Sequence, residues 1–304
     1  MKKLFIAIMA MFICIVQTNF ADAQTFSVSP NKKVLFSPGN LQWSAEGTHT
    51  TATGSAPGTW RFANSQYNYI SSDNSNISSS YTGWIDLFGW ATSGYISKGW
   101  GTNPYSSAMD PKNYMLPYNI IDMSGTNHEW GTFNAIYNPK SGNTDAPGTW
   151  RSLTKDEWEY LFKSRTDAVY KYGVASIDGL WDGVILLPDD WVLPDGLTFK
   201  YGFSDIDNCY GCKNKYTTEQ WKQMEAAGAV FLPAAGVRDV NNIISDIGAY
   251  WSSTFYNPSG DVYGREHSTR ACCLFFKSSN LEPSSTNYVN YGFSVRLVRE
   301  IIDE

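Results

Sequence analysis

Residues Trp150–Tyr160 read WRSLTKDEWEY. Thr154, followed three residues later by Glu157, is a capping box: the hydroxyl and the carboxylate each satisfy a backbone N–H at a helix start. Trp158, Leu161 and Phe162 then fall on one face at spacings of three and four, so a helix opens at Thr154 and buries that face. The hexapeptide that leads into it, Ala56–Arg61 in its first copy and Ala146–Arg151 in its second, reads APGTWR both times. Two copies are too few for a solenoid. Both read as a turn running into a strand, with the Trp buried and the Arg stacked or paired.

Moving toward the C-terminus, a second helix is predicted from Thr217, with Gln220 three residues on. Trp221 and Met224 face inward there, and Gly228 is placed to end the helix. The buried segment 230–236 follows, and then a β-rich tail: 250–253, 271–276 and 292–298. In the last of these Phe293, Val295 and Leu297 alternate with Ser294, Arg296 and Val298, which predicts one packed face. Toward the N-terminus, 26–43 is strand-like, with turn signals at Ser29–Asn31 and Ser37–Asn40. The Thr/Ser/Gly-rich stretch 44–55 reads as a loop. The stretches 81–100 and 127–137 are dense in Gly, Trp and Tyr and show little helical periodicity. About two helices among many short strands and long loops make an α+β fold.

The first 23 residues read as a cleaved signal peptide. Lys2 and Lys3 precede an apolar run from Leu4 to Val16, and Ala21 and Ala23 supply small residues at a cleavage site that leaves Gln24 as the new N-terminus. The run is too short to span a bilayer. Cys14 is no lipoprotein signal, because Ile13 stands where a small side chain is needed. Cleavage takes basic residues from 23 to 21 and acidic ones from 29 to 28, moving the formal net charge from −6 to −7. Nucleic acid, which needs clustered Lys and Arg, is excluded as a partner. Charged residues are 17% of the chain and Trp, Tyr and Phe 15%, a balance that suits a loop-rich extracellular protein with aromatic anchors.

Four cysteines survive processing. Cys209 and Cys212 are the disulfide candidate, preferred over free thiols, in an exported chain. No second CxxC or CxxH exists to complete a zinc site with them. Cys272 and Cys273 are adjacent, so in a strand they point to opposite faces and read as buried, inert thiols.

The stretch 150–160 resembles the strand-then-helix signature of the formylglycine-generating (sulfatase-modifying factor) superfamily, a branch of the C-type-lectin fold. The segments 232–238 (LPAAGVR), 250–254 (YWSST) and 292–299 (GFSVRLVR) resemble the Fibrobacter succinogenes major paralogous domain. With 34–42 (VLFSPGNLQ), the pattern is similar to exported proteins of gut Bacteroidetes. The resemblance to the domain covers about 150–299. It implies a C-type-lectin-like domain whose first and last strands pair, carrying a long irregular region stabilised by buried Trp and Gly. On that reading 24–304 is a single domain, with a β-rich N-terminal part, 24–145, and a paralogous-domain core, 146–304.

The enzymatic branch of the superfamily uses two cysteines a few residues apart near the final Gly-Phe-Arg. Their places here fall near Thr269 and Leu274, so the adjacent pair Cys272 and Cys273 is misplaced for that activity. The segment 121–130 (IDMSGTNHEW) is similar to a motif of those enzymes but precedes the 150–160 signature, and reads as a local Gly turn packed by Trp130. His49, His128 and His267 have no ligand partner four residues on, and His128–Glu129 is not part of HExxH because position 132 is Thr. Carboxylate pairs such as Asp156/Glu157 and Asp189/Asp190 read as helix caps and solvated turns. Glu282–Ser284 departs from the sugar-binding calcium triplet of C-type lectins, and no cofactor is expected. Asp205, Asp207 and Asn208 carry oxygens suited to a structural calcium, with a polar turn the simpler reading.

What remains is a non-catalytic ligand-binding protein. The tail loops are rich in Asn, Ser, Tyr and Gly, which supply adaptable hydrogen bonds and rigid aromatic area. The candidate contacts are Phe255, Tyr256, Tyr263, Arg265, His267, Asn287, Tyr288 and Asn290. The expected partner is a glycan or a cell-surface protein, and the expected location is extracellular, at the cell surface or in the periplasm. The alternatives are a carbohydrate-active enzyme, which needs two carboxylates facing across a cleft, and a structural subunit of a surface appendage.

Overall fold

The structure, a computed structural model, describes residues 24–76, 81–97, 100–101, 103–104, 122–202, 214–239, 241–256, 270–277 and 280–301. These residues are mostly strand, with three short α-helices. The first strands are β1 (Phe26–Ser29), β2 (Lys32–Phe36), β3 (Leu41–Thr51), β4 (Gly54–Phe62), β5 (Trp84–Ile85), β6 (Ile96–Ser97) and β7 (Trp100–Gly101). Then come β8 (Ile136–Asn138), β9 (Asn143–Asp145), β10 (Tyr172–Ile177), β11 (Trp181–Leu186), β12 (Asn214–Tyr216) and β13 (Val230–Pro233). The last are β14 (Val237–Asp239), β15 (Asn242–Ile244), β16 (Gly248–Phe255), β17 (Arg270–Lys277), β18 (Asn280–Tyr288) and β19 (Val298–Ile301). The helices are α1 (Trp130–Phe133), α2 (Lys155–Glu159, extended by a π-helical turn, Tyr160–Ser164) and α3 (Thr218–Ala226).

The last of these strands joins the first hairpin. β2 pairs antiparallel with both β1 and β19, with Val298 opposite Phe36 and Ile301 opposite Lys33. An ion-pair network fastens the seam: Arg151 grips Glu157 with two N–H groups at 2.7 and 2.8 Å and reaches Glu300 at 2.9 Å, while Lys32 lies 3.5 Å from Glu157 and 3.3 Å from Glu300. Such forked Arg–carboxylate geometry is the strong form of the interaction.

Three apolar cores follow from strand alternation. In the four-stranded sheet β12-β10-β11-β13, Val174, Val184, Leu186 and Leu232 face one core, and Ala175, Ile177, Ile185 and Phe231 face another. α3 lays Trp221 and Met224 on the latter. α2 and its π turn lay Trp158, Leu161 and Phe162 on the former, as the helical spacing predicts. The three-stranded sheet β16-β17-β18 divides that core from the largest one: Tyr250, Leu274 and Phe276 point to the α2 side, Ala249, Trp251 and Cys273 to the other. The largest core is built on tryptophan: Trp43, Trp60, Trp90, Trp130 and Trp251 are all buried in it. Trp251 stacks on Phe293 at 4.2 Å and donates its indole N–H to the Phe88 carbonyl at 2.7 Å.

Both predicted helix starts carry complete capping boxes, Thr154 with Glu157 and Thr217 with Gln220. Three elements differ from the sequence reading. The polar stretch 44–55 is no loop but the tip of a long hairpin, β3–β4, in which Thr48–Thr51 pair with Gly54–Pro57; β-branched Thr tolerates an extended, exposed ribbon well. The segment 292–298 is buried on both faces, because Ser294 and Arg296 lie as deep as Phe293 and Val295. A third short helix, α1, is started by the Glu129 side chain accepting from the Thr132 N–H at 2.8 Å.

Candidate functional site

The antiparallel register of β16-β17-β18 fixes what stands at one end of that sheet. Phe255 pairs with Ala271, Ala271 with Asn287, and Arg270 with Tyr288. The chain therefore leaves β16 at Tyr256 and re-enters at Arg270 beside the last residues of β18, and the Tyr256 N–H donates to the Arg270 carbonyl at 3.1 Å. The Arg270 guanidinium lies 4.5 Å from the Tyr288 ring centre, and the Tyr291 ring sits 5.8 Å beyond. Arg270 is steadied by the Thr286 carbonyl at 3.3 Å. Tyr256 is 36% exposed and Tyr288 43%. Burial, with the charge of Asp239, holds the Tyr291 phenol above its ordinary range, so it stays a hydrogen-bond donor at neutral pH.

Of the predicted contacts, Tyr256, Asn287, Tyr288 and Asn290 thus gather at this end. Asn287 spends its side-chain oxygen on the Tyr288 N–H at 2.8 Å. Asn290 is half-buried in the turn that follows β18. Phe255 packs inward instead, its ring 5.6 Å from Trp90. Tyr263, Arg265 and His267 lie outside the described residues, as do Cys209, Cys212, Asp205, Asp207 and Asn208. Arg270 and Tyr291 were not singled out by composition, because their nearness to Tyr288 exists only once the register is known. Flat phenol faces beside a guanidinium can stack on an apolar face and hydrogen-bond at their edges without any covalent chemistry.

Among the described residues, four buried ionisable groups, Glu129, Asp86, Cys272 and Cys273, are engaged or held neutral by their surroundings. Glu129 is fully buried, and each of its oxygens takes two donors: the N–H and hydroxyl of Thr132 at 2.8 and 3.0 Å, and those of Ser152 at 2.8 and 2.9 Å. Burial raises its pKa against those donors. Asp86, also fully buried, accepts from the Ile70 N–H and the Asn74 amide at 2.8 Å, and burial pushes it up to about 7. Burial pushes the Cys272 thiol up to about 11 and Cys273 in the same direction, so both stay protonated at neutral pH, where a thiol is a poor nucleophile. The segment 122–130 is a glycine turn, Gly125 at φ +71°, closed by the buried Trp130.

Among the described residues no group of three or more His, Cys, Asp or Glu side chains is placed to hold a metal ion, and no helix is long and apolar enough to cross a membrane. No family model, no curated protein and no solved structure matches the chain.

Proposed function

We infer that this chain is an exported, non-catalytic ligand-binding protein of adhesin-like character, and that its contacts come from the end of the β16-β17-β18 sheet. One observation carries the reading: strand register and ring contact gather Tyr256, Arg270, Tyr288 and Tyr291 at the end of the sheet where residues 257–269, which include Tyr263, Arg265 and His267, connect β16 to β17 in sequence. Aromatic and Arg side chains on loops held by a buried sheet are the makings of a recognition surface. The partner is a glycan or a protein at another surface. The scaffold is a C-type-lectin-like domain spanning 24–304, related to the Fibrobacter succinogenes major paralogous domain. In favour of that assignment are the pairing of the last strand with the first hairpin, through β2, and the tryptophan-packed irregular region around Trp90 and Trp130. In favour of binding over catalysis are the protonated thiols and the saturated Glu129 carboxylate.

The test is a screen of the purified protein against immobilised glycans and whole cells, with the double variant Tyr256→Ala/Tyr288→Ala as control. Both side chains are exposed, so the variant folds. Binding lost in the double variant is the expected result; binding that survives it puts the contact surface elsewhere and ends this reading.

A further inference from the structure

A cleft of about 500 Å³ opens away from the sheet end and shares none of its residues. Its size is that of a site for a small ligand, ~300–1,000 Å³. The hairpin β8–β9 contributes Asn138, Lys140 and Asp145, β19 contributes Arg299, and the last turn of α3 contributes Glu225. Gln24 lines it too, and Leu35, Phe36 and Pro38 give it an apolar strip.

Three features of these groups go beyond what folding needs. Asp145 is locked through one oxygen, Oδ2, which accepts from the Trp150 indole at 2.9 Å and the Asn138 amide at 3.0 Å. Its other oxygen makes no hydrogen bond to the described residues, so a rigid acceptor is held out ready-made. Glu225 stands in the last turn of α3, where the carbonyl end of the helix disfavours a carboxylate, and its side chain has neither a hydrogen bond nor a salt bridge among the described residues, its charge acting only at longer range on the buried Arg296. The Gln24 side-chain oxygen is a buried acceptor without a hydrogen-bond partner. The cleft wall therefore presents open acceptors on Asp145, Glu225 and Gln24 together with the N–H groups of Lys140 and Arg299, whose side chains make no hydrogen bond to the described residues. The charges balance, with Asp145 and Glu225 set against Lys140 and Arg299, so neither an anion nor a polycation finds a matching field.

We propose that this cleft binds a neutral, hydroxyl-rich ligand, a short saccharide segment, through Asp145, Glu225 and Gln24. Each sugar hydroxyl can donate to one of these acceptors and accept from an N–H of Lys140 or Arg299, and the C–H face of a sugar ring matches the strip Leu35–Phe36–Pro38. The site is independent of the one at the sheet end.

Isothermal titration of the purified protein with maltotriose, cellotriose, mannotriose and triacetylchitotriose tests it, with spermidine and inorganic phosphate as charged probes. One of the saccharides binds, Glu225→Gln and Asp145→Asn each weaken it by about tenfold or more, and Tyr288→Ala leaves it unchanged. Glu225 has no bonded partner to lose, so Glu225→Gln folds and decides the matter even where Asp145→Asn melts early. The proposal fails if none of the saccharides binds, if Glu225→Gln binds as the parent does, or if spermidine or phosphate binds more tightly than any sugar. Binding lost in Tyr288→Ala instead assigns the sugar to the sheet end and also overturns it.

Discussion

Glu129 and Asp86 are the two residues at which burial and bonding set stability most sharply. Replacing Glu129 with Ala removes the acceptor for four donors, the two of Ser152 buried and the two of Thr132 half-buried, a loss of about 2–4 kcal/mol. Glu129→Gln gives little relief, since its amide nitrogen must face a pair of donors. Urea unfolding of both variants checks this, and a loss under about 1 kcal/mol for Ala would show that the carboxylate is not the staple it looks to be. Asp86 makes stability depend on pH. Its folded pKa of about 7 lies above the ordinary 3.8, so the folded state holds the proton more tightly than the unfolded one. The resulting stabilisation is complete below about pH 4 and fades as pH rises through 7, by roughly 4 kcal/mol at most. Unfolding free energies at pH 4, 5.5 and 7 fall in that order through this group. In Asp86→Asn the slope flattens, and at low pH the variant is weaker, because its amide nitrogen faces one of the two donors, the Ile70 N–H or the Asn74 amide, while its oxygen serves the other. A slope that persists unchanged in Asp86→Asn assigns it to other groups.

Elements whose instructions are local were legible in the sequence, and those whose partners are remote were not. The helices at Thr154 and Thr217 announce themselves within four residues, and both capping boxes form. The β3–β4 hairpin hid behind a composition typical of loops, since its tip is exposed and offers no apolar alternation. The buried face of 292–298 was illegible for another reason. The two terminal nitrogens of Arg296 donate to the carbonyls of Ser37, Gln66 and Phe231, which approach from distant parts of the chain. Of the candidate site, Tyr256 and Tyr288 could be named from loop chemistry, whereas Arg270 needed the register. The twin APGTWR hexapeptides show how far local sequence reaches. Gly58 and Gly148 share φ +85°, Trp60 and Trp150 are both buried, Arg61 stacks on Trp84 at 3.6 Å and Arg151 grips Glu157. Their surroundings differ, however. A Cβ at Gly58 would lie 2.6 Å from the Trp43 indole nitrogen and 2.7 Å from the Ser44 carbonyl, while at Gly148 it meets nothing within 4 Å. Gly148→Ala therefore costs only the left-handed backbone penalty, about 1–2 kcal/mol, and Gly58→Ala clearly more. Equal thermal melts for the two would mean that the hairpin yields around Trp43.

At the scale of the molecule, the sheet β16-β17-β18 is a wall shared by two cores, and adjacent residues on it serve different ones. Tyr250 packs with Phe276 and Trp158 on the α2 side, and Trp251 with Phe293 on the tryptophan-rich side. Neither core can loosen without exposing the opposite face of the same strands, and β2 with β19 further ties the start of the described chain to its end. Arg296 joins Ser37 to Phe231 across the same interior; burial holds its pKa down to about 10, opposed by Tyr250 and the charge of Glu225, and that still leaves it a cation at neutral pH. This arrangement couples the cores into one cooperative unit, although chains of this length often unfold in stages. Trp251→Phe, which leaves the Phe88 carbonyl with the Phe293 N–H alone and opens a gap where the indole packed, and Tyr250→Phe, which removes the donor to the Pro233 carbonyl, should each cost about 1–3 kcal/mol. The informative readout is the form of the transition. Tryptophan fluorescence reports chiefly on the largest core and far-ultraviolet circular dichroism on the whole, and in both variants the two curves shift together and remain superimposed. A variant in which one curve moves and the other stays would show that the cores melt separately and that the shared sheet does not couple them.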